Sequence, residues 1–101
     1  MTVLRPEGPV AGNDADELKR RLIQAQRDSL GRFVLDAAAI ALVDSKGLEA
    51  MVEVTEEMAQ SGQALRLCAA NETLRQVLDL TGLSRLFEHF EDVNSAVRSF
   101  L

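Results

Sequence analysis

The residues of this chain best placed to do chemistry are Asp44, Ser45 and Lys46, followed by Gly47 and Leu48. They come shortly after two apolar stretches, Phe33-Val34-Leu35 and Leu42-Val43. An apolar strand that runs into a short loop, with a small hydroxyl residue ahead of a helical pattern, sets that hydroxyl at a helix N-terminus. Unpaired backbone N–H groups converge at such an end, so a partner or a phosphate can be met there. Chemistry alone leaves two roles for Ser45. It can cap the helix, a role that serine and aspartate fill for about 1 kcal/mol. Alternatively Asp44 caps and Ser45 faces outward. Gly47 falls in the first helical turn, where glycine costs stability relative to alanine. Close packing against a strand is the first explanation for it, and close approach of a partner is the second. Glu49, Glu53, Glu56 and Glu57 gather largely on one side of the same helix. Such a row is ordinarily a solvated face, and otherwise a docking surface for a basic partner.

No other residues assemble into a reaction centre. A serine nucleophile needs a base, and the one histidine, His89, is far along the sequence from Ser45. The flanks of Ser45 are not the Gly-x-Ser-x-Gly elbow. Gly8 and Gly12 have the wrong spacing and context for a phosphate-cradling loop. His89 is a poor metal site on its own and belongs at a surface or rim. Cys68 is expected to be a small buried hydrophobe, since Arg66 alone gives little of the positive surroundings a reactive thiol needs. The expectation is a non-catalytic domain with no cofactor and no metal.

Composition narrows the partners. The chain has 101 residues, 47% of them hydrophobic, which suits one domain with a real core. A net charge of −5 without a basic patch disfavours nucleic acid. The chain has no apolar run of membrane-spanning length, and its start, Met1 to Pro6, does not read as a signal peptide. With one cysteine, no internal disulfide can form, and the cytoplasm is the expected compartment.

The elements that must position Ser45 follow from periodicity. A short strand over Thr2–Arg5 suits a sheet edge, and Pro6, Gly8, Pro9 and Gly12 predict a turn-rich loop after it. Asn13 or Asp14, with Glu17 behind Asp14, can cap a helix carrying Leu18, Leu22 and Ala25 inward and ending near Gly31. Strands are expected over 32–36, 64–68 and 86–90. The run from Ala37 to Val43 reads as a packed connection with Ile40, Leu42 and Val43 inward. The helix after Ser45 shows Leu48, Met51, Val52, Thr55, Met58 and Ala59 on one face. Asn71 caps a short helix that leaves through Thr81-Gly82, and Asp92 caps a closing helix with Val93, Ala96, Val97 and Phe100 inside. Strands alternate with helices, which argues α/β with a largely parallel sheet.

Asp44-Ser45-Lys46-Gly47-Leu48 resembles the Asp-Ser-(Ser/Thr)-Gly-Leu loop of the STAS family, which includes the bacterial anti-sigma-factor antagonists. The stretch Leu78-Asp79-Leu80-Thr81-Gly82-Leu83-Ser84-Arg85-Leu86-Phe87 is similar to that family's second recognisable segment, and the element order agrees over nearly the whole chain. The resemblance implies a single STAS-like domain over residues 1–101, with a small, mostly parallel four-stranded sheet and about four helices against it. It implies protein binding rather than catalysis, with Ser45 as a phosphorylation site and an anti-sigma factor that is also a serine kinase as partner. Phosphorylation would release the kinase and a phosphatase would reset the cycle. Asp44, Ser45, Lys46, Gly47, Glu49 and Glu53 are then the expected partner-facing residues. Lys46 stands where phosphorylated members carry a small hydroxyl residue. The alternative within the family is an unphosphorylated adaptor subunit of a lipid-transport, stressosome-like or secretion-associated complex.

Overall fold

The computed structural model describes residues 2–10 and 12–101; Met1, where the reading of the N-terminus as free of a signal peptide begins, lies outside them. Among these residues the chain forms strands β1 (Thr2–Leu4), β2 (Gly8–Val10), β3 (Phe33–Asp36), β4 (Ile40–Val43), β5 (Leu65–Cys68) and β6 (Phe87–Phe90). The helices are α1 (Asn13–Ser29), α2 (Ser45–Ala59), α3 (Glu72–Leu80) and α4 (Val93–Arg98), with a 3-10 turn over Ser84–Leu86. The expected α/β architecture and its four-stranded parallel sheet are found, in the order β1-β3-β5-β6. The edge position expected for the first strand is also found: β1 is three residues long and is followed closely by Pro6.

Alternation along β3 and β5 divides the apolar side chains between the two faces of the sheet. Phe33, Leu35, Leu65, Leu67 and Phe87 join Leu18 and Leu22 of α1, Met51, Val54 and Met58 of α2, and Leu74 and Leu78 of α3 in the main core. Val34 and Cys68 point the other way and form a second, smaller cluster with Ala96 of α4. Thr55 ties α2 to the sheet: its hydroxyl donates to the Leu86 carbonyl at 2.7 Å and accepts from the Leu65 N–H at 3.1 Å.

Several expectations need correction. The loop after β1 holds a strand, β2, and the supposed connection 37–43 holds another, β4; the two pair in parallel as a separate ribbon. As a strand, β4 buries Ile40 but turns Leu42 outward, and Leu42 is 55% exposed. The N-cap of α1 is Gly12, not Asn13 or Asp14, and the C-cap is Leu30 in the left-handed region at φ 55°, with Gly31 following at φ 85°. In α2, Ala59 lies outside, while Gly47, Ala50 and Val54 are buried. The caps read at Asn71 and Asp92 are formed, accepting from Leu74 N–H at 2.8 Å and Ser95 N–H at 2.7 Å.

Leu35 is fully buried in the central strand β3. Leu35→Ala should lower stability by about 2–5 kcal/mol in urea denaturation, because it leaves a cavity in the main core between the sheet and the helices. A neutral outcome would contradict its place in the core.

Candidate functional site

The site is built where β4 hands over to α2. The backbone at Asp44 is extended, at φ −90° and ψ −176°, the conformation of an N-cap residue. Its carboxylate oxygens are both used. Oδ1 accepts from the Gly47 N–H at 2.8 Å, which caps α2. Oδ2 accepts from the Gly12 N–H at 3.1 Å, at the mouth of α1. One side chain therefore serves the starts of two helices, which explains how α1 does without a cap of its own. The Asp44 backbone is held as firmly: its N–H donates to the Val10 carbonyl at 3.2 Å, and its carbonyl accepts from the Leu48 N–H at 2.9 Å.

These donors hold the Asp44 carboxyl below its ordinary pKa. The Gly47 N–H is the largest cause; partial burial opposes it, and the Gly12 and Lys46 N–H groups and the Lys46 charge add to it. A depressed folded-state pKa gives stability that is fully present above the unfolded value, about 3.9, and is lost as pH falls through the folded value.

With Asp44 as cap, Ser45 is the first residue of α2 and is exposed. Of the two roles open to it, the cap belongs to its neighbour. Lys46 is exposed beside it. Glu49 and Glu53 are exposed on the next turns, and Glu53 forms an ion pair with Lys19 of α1. The hydrogen bond and charge of Glu53 raise the Lys19 pKa, with smaller help from Glu49 and Glu57. Asp16, Lys19, Lys46, Glu49, Ala50 and Glu53 line one shallow depression between α1 and α2. The acidic helix face is thus partly neutralised from α1, a partner that lies 34 positions away and that sequence spacing does not reveal.

Gly47 is buried. A Cβ there would lie 2.5 Å from the Val10 carbonyl oxygen, 3.0 Å from Val43 Cγ1 and 3.1 Å from Val10 Cγ1. Its first explanation, close packing, is what the geometry supports, and the strand it packs against is β2.

His89 and Cys68 lie outside this arrangement. His89 is exposed, and its Nε2 lies 2.7 Å from the Ser84 carbonyl and 3.2 Å from the Ser84 hydroxyl. A carbonyl can only accept, so that nitrogen carries the proton and cannot serve Ser84 as a base. Cys68 is buried, and burial, with help from the Asp36 and Asp92 carboxylates, pushes its thiol up to about 11. Asp36, at the end of β3, is a buried carboxylate that sequence reasoning missed. It accepts from the Ala38 N–H at 3.0 Å and faces Arg5 Nε at 3.8 Å.

The Gly47 packing gives a prediction with a definite sign. In an open helix, glycine to alanine would stabilise by up to about 1 kcal/mol. Here the nearest atom is a backbone oxygen already bonded to the Asp44 N–H, so it cannot step aside freely. Gly47→Ala should destabilise by about 1–3 kcal/mol in thermal or urea melts. A gain in stability would show that the β2 contact is looser than described.

The STAS domain family model matches residues 1–96. A candidate anti-sigma factor antagonist from Thermotoga maritima superposes with a TM-score of 0.84 at 21% identity, covering 96% of this chain and 84% of that one. The anti-sigma factor antagonist SpoIIAA in its unphosphorylated form gives 0.72 at 12% identity, over 97% and 86% of the two chains. The Bacillus cell fate determinant SpoIIAA in its phosphorylated form gives 0.74 at 15% identity, over 98% and 89%. At such identities the structural likeness establishes the fold. The family match runs from β1 into α4, and on that ground the chain belongs to the STAS domain family.

Proposed function

We propose that this domain is a non-catalytic signalling module of the anti-sigma-factor antagonist kind, whose binding to a protein partner is controlled by phosphorylation of Ser45. One observation carries the reading. Asp44 does the capping, so the exposed Ser45 hydroxyl is not needed to hold the fold. A group that the fold does not use can be modified without unfolding anything.

The charge arithmetic supports a switch acting on surface rather than shape. A phosphate adds about −1.5 to −2 charge. The start of α2 favours it by roughly 0.3–1 kcal/mol, Lys46 adds a counter-charge, and Asp44 and Glu49 oppose it. Inside the domain these effects largely offset one another. Across an interface, a like-charge contact costs several kcal/mol, enough to release a partner. The partner-facing surface in this reading comprises Asp44, Ser45, Lys46, Glu49 and Glu53. Gly47 contributes from beneath by holding the helix start against β2. The partner is a protein, an anti-sigma factor with serine kinase activity, and the compartment is the cytoplasm. No helix among the described residues is long and apolar enough to cross a membrane.

A second reading, an adaptor whose Ser45 is never modified, is favoured by Lys46. A long cation follows the serine where the resemblance leads one to expect a small hydroxyl residue.

The two readings separate in one experiment. The domain is incubated with ATP and each anti-sigma-type serine kinase of its source organism, and its intact mass is measured. The switch predicts a gain of about 80 Da, one phosphate, in the wild type and none in Ser45→Ala. It also predicts that Ser45→Asp binds the kinase at least about tenfold more weakly while stability stays within about 1 kcal/mol, since a carboxylate is accepted at a helix start. Absence of modification by every such kinase would leave the adaptor, and loss of folding in Ser45→Asp would contradict an exposed role for the serine.

A further inference from the structure

We propose that α4 is a releasable strap, hinged at Glu91–Asp92 and clasped at its far end by Arg66, which lifts off the sheet while the main core stays folded. Six residues are too few for a helix to hold itself in water. What keeps α4 in place is the Asp92 cap at its start and its contacts with the sheet. Those contacts are thin. Ala96 is its one buried residue, and Val93, Val97 and Phe100 are half-buried. Nor does the helix cover the whole face: Val3, which points the same way from β1, is 40% exposed.

The cluster under α4 is separate from the main core. It consists of Val34, Cys68 and Ala96, with partly buried neighbours. The main core lies on the opposite face of β3 and β5, and its side chains come from α1, α2 and α3. Lifting α4 therefore breaks the small cluster and leaves the large one packed, which is the condition for an opening that costs less than unfolding.

The clasp is built on Arg66 of β5. Its Nε donates to the Ser99 hydroxyl at 2.8 Å and lies 3.1 Å from Glu88 Oε2 on β6. Its guanidinium carbon sits 3.8 Å from the centre of the Phe100 ring. The Ser99 hydroxyl donates in turn to the Ala96 carbonyl at 2.5 Å, so the arginine grips the end of the helix itself.

Cys68, the one cysteine, reports on the strap. Closed, it is buried and held protonated. With α4 lifted, it meets solvent and regains the reactivity of an ordinary thiol.

The test labels Cys68 with a disulfide chromogen, 5,5′-dithiobis(2-nitrobenzoate), at urea concentrations below the unfolding transition. Labelling is expected to outpace global unfolding and to depend only weakly on urea. Arg66→Ala and Phe100→Ala should each speed it by about tenfold. The Phe100 variant keeps the test decisive if the Arg66 variant folds poorly. The proposal is overturned if labelling follows the urea dependence of global unfolding, or if neither substitution speeds it.

Discussion

The shared use of one carboxylate is the constraint on which the rest of this structure depends. Asp44 holds the starts of α1 and α2 together, with one oxygen for each. Two helix N-termini facing the same point carry partial positive charge and unpaired donors, and an anion between them satisfies both. The same residue is fixed through its backbone to β2 and to the first turn of α2. Ser45 follows directly from this arrangement. Its neighbour takes the cap and is anchored at four places, and Ser45, left out of that bonding, is exposed.

The β2–β4 ribbon supplies the other half of the support. Val10 receives the Asp44 N–H and at the same time sets the distance of closest approach for Gly47. A glycine in a first helical turn, unfavourable by propensity, is what lets α2 come this near to a strand. The ribbon lies outside the four-stranded sheet, and Val10 and Ile40 tie it into the main core. A charge added at the exposed Ser45 then acts first on whatever meets that surface. In the proposed strap, on the other face of the sheet, a small cluster is kept apart from the large one.

What the sequence discloses depends on whether the signal is local. The four sheet strands, the inward stripe of α1, and the caps at Asn71 and Asp92 rest on residues within a few positions of one another, and they are found where periodicity and capping chemistry put them. The Asp44–Leu48 loop was legible for the same reason. The start of α1 was not. Asn13 and Asp14 are good caps in isolation, but a carboxylate 32 positions away reaches Gly12 first. The run from Ala37 to Val43 lacked a clear period because alanine favours helix, and what makes part of it a strand is pairing with β2, a non-local partner. Leu42 faces outward for that reason, against expectation. Thr55 and Asp36 were missed as polar anchors because their bonding partners are brought together only by the fold.

In the proposed switch, modification of Ser45 changes the surface of the domain and not its shape. Amide chemical shifts, recorded by NMR with serine and then with phosphoserine at position 45, test it most directly. The account predicts changes confined to Asp44 through Glu49 and to Gly12 across the shared carboxylate, with the amides of β3 and β5 unmoved. Shifts spreading through those two strands would contradict it, because they would mean that the phosphate is read by the core.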